Sequence, residues 1–166
     1  YFMMRELPFG NDGNFSHTAM VNRMNSDLAN DFGNLAQRVL SMINKNCDGA
    51  VPNPGLLTVD DSALLIPARA LLANMRGAME SQTIHQALIQ LWEVVGEANR
   101  YVDSQAPWAL KKTDPARMAT VLYVLAEVIR HLAILAQPVV PDAASKMLDQ
   151  LAVPEDQRSF AALNDA

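Results

Sequence analysis

The chain is predicted to be all-α, a bundle of about five or six helices, and three observations predict it. Apolar residues recur at helical spacing over long stretches, as in Met20, Val21, Met24, Leu28, Phe32, Leu35, Val39, Met42 and Ile43. Credible caps and breakers stand where those stretches begin and end. No segment shows the strict two-residue alternation of a half-buried strand.

Residues 1 to 15 read as irregular, with Tyr1 to Leu7 the end of a strand or helix and Pro8 to Gly13 dense in turn formers. A first long helix starts at Ser16 or Thr18, both good N-caps, and runs to Asp48-Gly49. A bend is expected near Asn25-Ser26-Asp27, whose side chains compete for backbone hydrogen bonds. Val51 to Gly55 is a Pro/Gly loop. The second helix covers about Asp60 to Glu80, with Pro67 early enough to kink it. The third covers Ser81 or Thr83 to about Ser104 and is stopped by Pro107. Asp114-Pro115 reads as N-cap followed by proline in the first helical position. The helix that follows, to Ala136, is so densely apolar that it belongs at the centre of the core. Pro138 and Pro141 bracket a turn before a fifth helix, about Asp142 to Leu151, and a short sixth covers Glu155 to Leu163.

Composition narrows the function classes. With 166 residues, 50% hydrophobic and 19% charged, the chain has the make-up of one folded domain rather than a disordered or fibrous one. No apolar run approaches the ~20 residues that a membrane span requires. Nor does the N-terminus carry a signal peptide's basic start and apolar stretch. Cys47 stands alone, which excludes an internal disulfide and any multi-cysteine zinc site and fits a reducing cytoplasm. Eighteen acids against thirteen bases give a net charge of −5, unlike a generic nucleic-acid binder. Binding to RNA would then have to be local, through base contacts and a small basic patch from Arg38, Lys45, Arg100, Lys111 and Lys112.

Two strings suggest such local reading. Asn34 and Arg38 are spaced i and i+4, so on a helix an amide and a guanidinium project from one face, and both can hydrogen-bond to a base edge. Trp108 follows Pro107 where a helical pattern ends, which holds an indole near the surface for stacking on an unpaired base. Other conspicuous residues have plain structural explanations. Trp92 and His131 read as core, and His17 and His85 as solvent-facing near helix starts. The three histidines lack metal-like spacing. Asp12 and Asp31 have turn and helix-surface explanations and do not form a catalytic acid pair. The nine methionines are core filler.

Several longer strings carry a resemblance. Pro8 to Ser16, Asn25 to Asn34, Asn99 to Trp108, and Pro138-Val139-Val140-Pro141 with Ala144 and Lys146 resemble the C-terminal part of bacterial methionyl-tRNA synthetases, in family order over nearly the whole chain. The resemblance implies a helical bundle of the class I aminoacyl-tRNA synthetase anticodon-binding type in residues 16–166. Residues 1–15 would be the end of the segment connecting it to a catalytic domain. It implies that the bundle recognises the CAU anticodon of tRNA(Met), and that the parent enzyme attaches methionine to that tRNA using ATP. By motif position it assigns anticodon binding to Asn34, Arg38 and Trp108, the tryptophan stacking on the wobble cytosine. No catalytic residue and no metal ligand is expected in the chain itself. The His-x-Gly-His and Lys-Met-Ser-Lys-Ser signatures do not occur in it, and Ser145-Lys146-Met147 is a decoy in a helix. ATP and Mg are implied only for the catalytic domain, and the chain is expected to be a fragment of a cytoplasmic enzyme. Two other readings stand beside this one. The chain could be the equivalent domain of a leucyl, valyl, isoleucyl or cysteinyl enzyme, or a helical scaffold binding protein partners through an exposed apolar groove. The tRNA reading differs from the scaffold in requiring Trp108 at the surface near Asn34 and Arg38.

Overall fold

A computed structural model describes residues 1–13 and 15–163. Asn14 of the first resemblance string and the end at Asn164-Asp165-Ala166 lie outside the described residues. Among the described residues the chain is helical and contains no strand. In chain order the elements are α1 (Phe2–Glu6), α2 (His17–Arg23), a π-helical segment (Met24–Gly33), α3 (Asn34–Asn46), α4 (Val59–Glu80), α5 (Ile84–Gln105), α6 (Pro107–Thr113), α7 (Pro115–Ala136) and α8 (Pro141–Gln150).

Local chemistry sets most of these boundaries. Ser16, rather than Thr18, caps α2, its hydroxyl accepting from the Ala19 amide at 3.2 Å. Thr58 and Asp61 form a reciprocal capping box at the start of α4: the Thr58 amide donates to Asp61 at 2.8 Å and the Asp61 amide to Thr58 Oγ1 at 3.4 Å. Asp114 caps α7 by accepting from the Arg117 amide at 2.9 Å, with Pro115 in the first helical position, as expected. Helix α4 runs without a break through Pro67.

Three expectations change. The first long helix is not uniformly α: ten residues, Met24–Gly33, are wound as a π-helix, with the Asn34 amide donating to the carbonyl of Ala29 five residues back. Gly33 is required at its end, because a Cβ there would stand 2.9 Å from the Leu28 carbonyl oxygen. Pro107 stops one helix but also starts another, α6. The expected sixth helix is two separate 3₁₀ turns, Glu155–Gln157 and Phe160–Leu163. Residues 2 to 6, left open between strand and helix, form a short helix whose N-terminal neighbour Tyr1 packs on Trp92 with ring centres 5.0 Å apart.

Helix α7 lies at the centre, as its apolar density predicts. This corrects the expectation that no stretch is long and apolar enough to span a membrane: by length and composition α7 would suffice, but here Val121, Leu122, Val124, Leu125, Val128, Ile129 and Leu132 are sealed inside the bundle. Trp92 and His131 are core residues. Burial lowers the His131 pKa, and its Nδ1 lies 3.0 Å from the Glu127 carbonyl oxygen. His17 is exposed, whereas His85 is half-buried, a partial correction.

Two buried carboxylates tie the helices together. Asp61 is fully buried and receives both terminal nitrogens of Arg117, at 2.6 and 2.7 Å, together with the Tyr101 hydroxyl. Arg117 also donates to Gln105 Oε1 at 2.7 Å, so α4, α5 and α7 share one polar clamp. Burial alone would raise the Asp61 pKa, but the Arg117, Thr58 and Tyr101 donors outweigh it and hold the carboxyl below the usual range. Asp27, buried in the π segment, accepts from the Tyr1 hydroxyl and from Arg23 at 3.4 Å, and lies 3.5 Å from Arg5.

Candidate nucleic-acid interface

The site begins where α5 ends. Ala106 closes that helix in the left-handed region (φ 43°, ψ 59°), a conformation that costs a residue with a Cβ roughly 1 kcal/mol or more. The sharp reversal lets Pro107 open α6 with its ring buried, and it turns the next side chain, Trp108, outward at 50% exposure. The indole thus stands on a rigid corner rather than on a loop.

Helix α3 brings the second half. Leu35, Ala36, Val39 and Ile43 bury its apolar face, which leaves Asn34 and Arg38 on the exposed one. The Arg38 guanidinium carbon lies 5.7 Å from the centre of the Trp108 ring, in the range of a cation–π contact. Its Nη2 also donates to Asp103 Oδ1 on α5 at 2.6 Å. Arg38, Val39, Met42, Val102, Pro107, Trp108 and Leu122 line a small cleft of about 140 Å³. Residues seventy positions apart therefore converge, with Asn34 one turn before Arg38 on the same helix face.

The attachments of Arg38 are weak ones. An exposed ion pair contributes ~0.2–1 kcal/mol and an exposed cation–π contact ~0.5–1 kcal/mol. A planar base could therefore displace the guanidinium from the indole face, or extend the stack, at small cost. Below the cleft the support is firm: the Asn99 amide donates to the Asp31 carbonyl at 3.2 Å and the Val95 carbonyl at 3.1 Å, tying α5 to the π segment just before Asn34.

Sequence reasoning singled out neither Asn99 nor Asp103 as part of this site. A signal existed: the two sit i and i+4 on α5, the spacing that Asn34 and Arg38 show on α3. The expected basic patch divides. Arg38 and Lys45 share α3, and Lys111 and Lys112 follow Trp108 on α6. Arg100 instead lines a separate hollow with Asp60, Glu97, Tyr101 and Ser104. Asp12 and Asp31 are both exposed. Among the described residues no three His, Cys, Asp or Glu side chains are grouped to hold a metal ion.

A family model described as the anticodon binding domain of methionyl tRNA ligase matches residues 51–165. The chain belongs to the methionyl-tRNA ligase family. A second model, tRNA synthetases class I (M), matches residues 1–40, which take in α1, α2, the π-helical segment and the start of α3. The methionine–tRNA ligase of Brucella suis is 60% identical over 97% of the chain and 31% of its own length. That of Rhizobium meliloti is 56% identical over all of the chain and 32% of its own length. The chain thus spans about a third of these relatives. The structure of Mycobacterium tuberculosis methionyl-tRNA synthetase in complex with methionyl-adenylate superposes with a TM-score of 0.95 at 51% identity, over 98% of this chain and 33% of that one. Its apo form gives 0.95 over 98% and 34%. The fold of that structure is therefore reproduced over nearly the whole of this chain; Trp108 falls within the match to the anticodon binding domain, whereas Asn34 and Arg38 fall within the match to the class I synthetase model.

Proposed function

We propose that this chain reads the CAU anticodon of tRNA(Met), so that the parent ligase attaches methionine to that tRNA with ATP in the cytoplasm. The observation that carries the reading is the Arg38–Trp108 pair: a half-exposed indole under a guanidinium, beside an exposed amide, with the indole inside the stretch that matches an anticodon binding domain. Trp108 stacks on the wobble cytosine once the anticodon is unstacked. Asn34 and Arg38 hydrogen-bond to the edges of anticodon bases, Arg38 through its planar fork. Residues 1–15 then form the end of the segment leading from the catalytic domain, and residues 16–166 the reading bundle.

ATP and Mg²⁺ belong to the catalytic domain in this reading. The donor chemistry here does not suit them: the described residues hold no metal-binding cluster, and the chain has no glycine-rich phosphate loop. In this reading the chain's share of the reaction is selection, and bond making falls to the catalytic domain.

The test is binding of tRNA anticodon stem-loops carrying CAU or an altered wobble base. The unsubstituted chain should prefer CAU. Trp108→Ala should weaken CAU binding by about 5- to 150-fold, the ~1–3 kcal/mol of one stacked base. Arg38→Lys should also weaken it, since an ammonium lacks the fork. Equal affinity for both loops, or an unchanged Trp108→Ala, would overturn the reading.

A further inference from the structure

The cations around the cleft are arranged with a regularity that base reading does not use. Helix α3 turns about 100° per residue, so Lys45 projects within about 20° of both Asn34 and Arg38, on the same exposed stripe. From Asn34 to Lys45 that stripe is ~16 Å long. On α6, Lys111 and Lys112 come three and four residues after Trp108, one to each side of its direction. All three lysines are exposed, and among the described residues none is held in an ion pair, whereas Arg38 is held by Asp103. The acids near these elements are Asp31 before α3, Asp48 beyond its end, Asp103 against Arg38, and Asp114, whose carboxylate caps α7.

These three lysines without an ion-pair partner among the described residues sit on a chain whose net charge is −5. Most of the surface therefore repels a polyanion, and the face around Trp108 is where one can settle. Lysine is a compact, hydrated charge on a flexible stem, suited to phosphate oxygens rather than to reading base edges. We propose that Lys45, Lys111 and Lys112 form a phosphate-docking rail along both sides of the cleft. The rail holds the sugar–phosphate backbone of the strand whose bases Trp108, Asn34 and Arg38 address. It rests on the anticodon reading given above, and it assigns these lysines to register and affinity, not to base choice.

The two ideas separate in a salt titration. The chain and its triple variant Lys45→Gln, Lys111→Gln, Lys112→Gln are titrated with CAU and altered-wobble stem-loops from about 50 to about 150 mM monovalent salt. Arg76→Gln, an exposed change on α4, serves as the control, and circular dichroism checks that each variant keeps its helices. Each phosphate contact contributes a slope of about −0.7 to −0.9 in log affinity against log salt. The triple variant should therefore be flatter by about 2 to 3, so that over this range the unsubstituted chain loses about 10- to 20-fold more affinity than the variant does. The ratio between the two loops should stay the same. A slope no flatter than that of Arg76→Gln overturns the rail, as does a collapse of the loop ratio in the triple variant. Equal binding of both loops by the unsubstituted chain overturns the anticodon reading and leaves the slope to judge the rail. No binding at the lowest salt overturns both.

Discussion

Arg117 grips Asp61 with both terminal nitrogens, at 2.6 and 2.7 Å, across fifty-six positions of sequence. The carboxylate is fully buried and Arg117 nearly so, with its side chain 18% exposed. Geometry of this kind makes the pair sensitive to losing one member. Arg117→Ala leaves an uncompensated charge in the core and is expected to cost about 3–5 kcal/mol. Replacing both partners, as in Asp61→Leu with Arg117→Met, should cost less than Arg117→Ala alone. Urea unfolding followed by circular dichroism measures both, and a double variant less stable than the single one would refute the account.

Stability should also fall at both ends of the pH scale. Asp61 is held below its ordinary pKa, so its contribution is fully present above about pH 4 and is lost as pH drops from there towards the folded-state value. Tyr101 and Tyr1 are shifted the other way: burial first, then the hydrogen bond to Asp61 or Asp27, raises each phenol above its usual range. Their contribution is fully present below about pH 10 and is lost as pH climbs through the raised values. Thermal melts across pH should show Asp61→Asn converging on the unsubstituted chain in acid, and Tyr101→Phe converging on it in alkali. Parallel curves throughout would contradict these shifts.

Ala106 offers a third check. Glycine enters the left-handed region freely, so Ala106→Gly should leave stability within about 1 kcal/mol or raise it slightly. Ala98→Gly, at a buried helical position of the same α5, should cost about 1 kcal/mol or more. A larger loss at Ala106 than at Ala98 would show that the corner is not strained.

Much of this was legible from periodicity. The core helix α7, the Asp114-Pro115 start and the loop after α3 follow from spacing, cap chemistry and proline, all of which act over a few residues. The Asp61–Tyr101–Arg117 clamp could not be read, because its members lie on three helices and only packing joins them. Pro107 was legible as a stop but not as a start, since the left-handed turn at Ala106 has no glycine to mark it. The π winding between Met24 and Gly33 was also hidden: its apolar pattern fits an α-helix, and only Asn25-Ser26-Asp27 hinted at irregularity. For the site, the i, i+4 pair and the proline-held indole were visible, but their meeting depends on how α3 and α5 pack.

The π winding reaches beyond its own ten residues. A π turn takes more residues to complete than an α turn, so each residue in it rotates the chain less. The segment thus works as the phase adjuster of a camshaft. It sets the angle at which α3 leaves it, and so the direction in which Asn34, Arg38 and Lys45 point. Rewinding Met24–Gly33 as plain α-helix would hardly move the axis of α3, yet it would dial the whole polar stripe away from Trp108. Gly33 and the Asn99 amide, one admitting the wide turn and the other pinning it, are the lock on that dial.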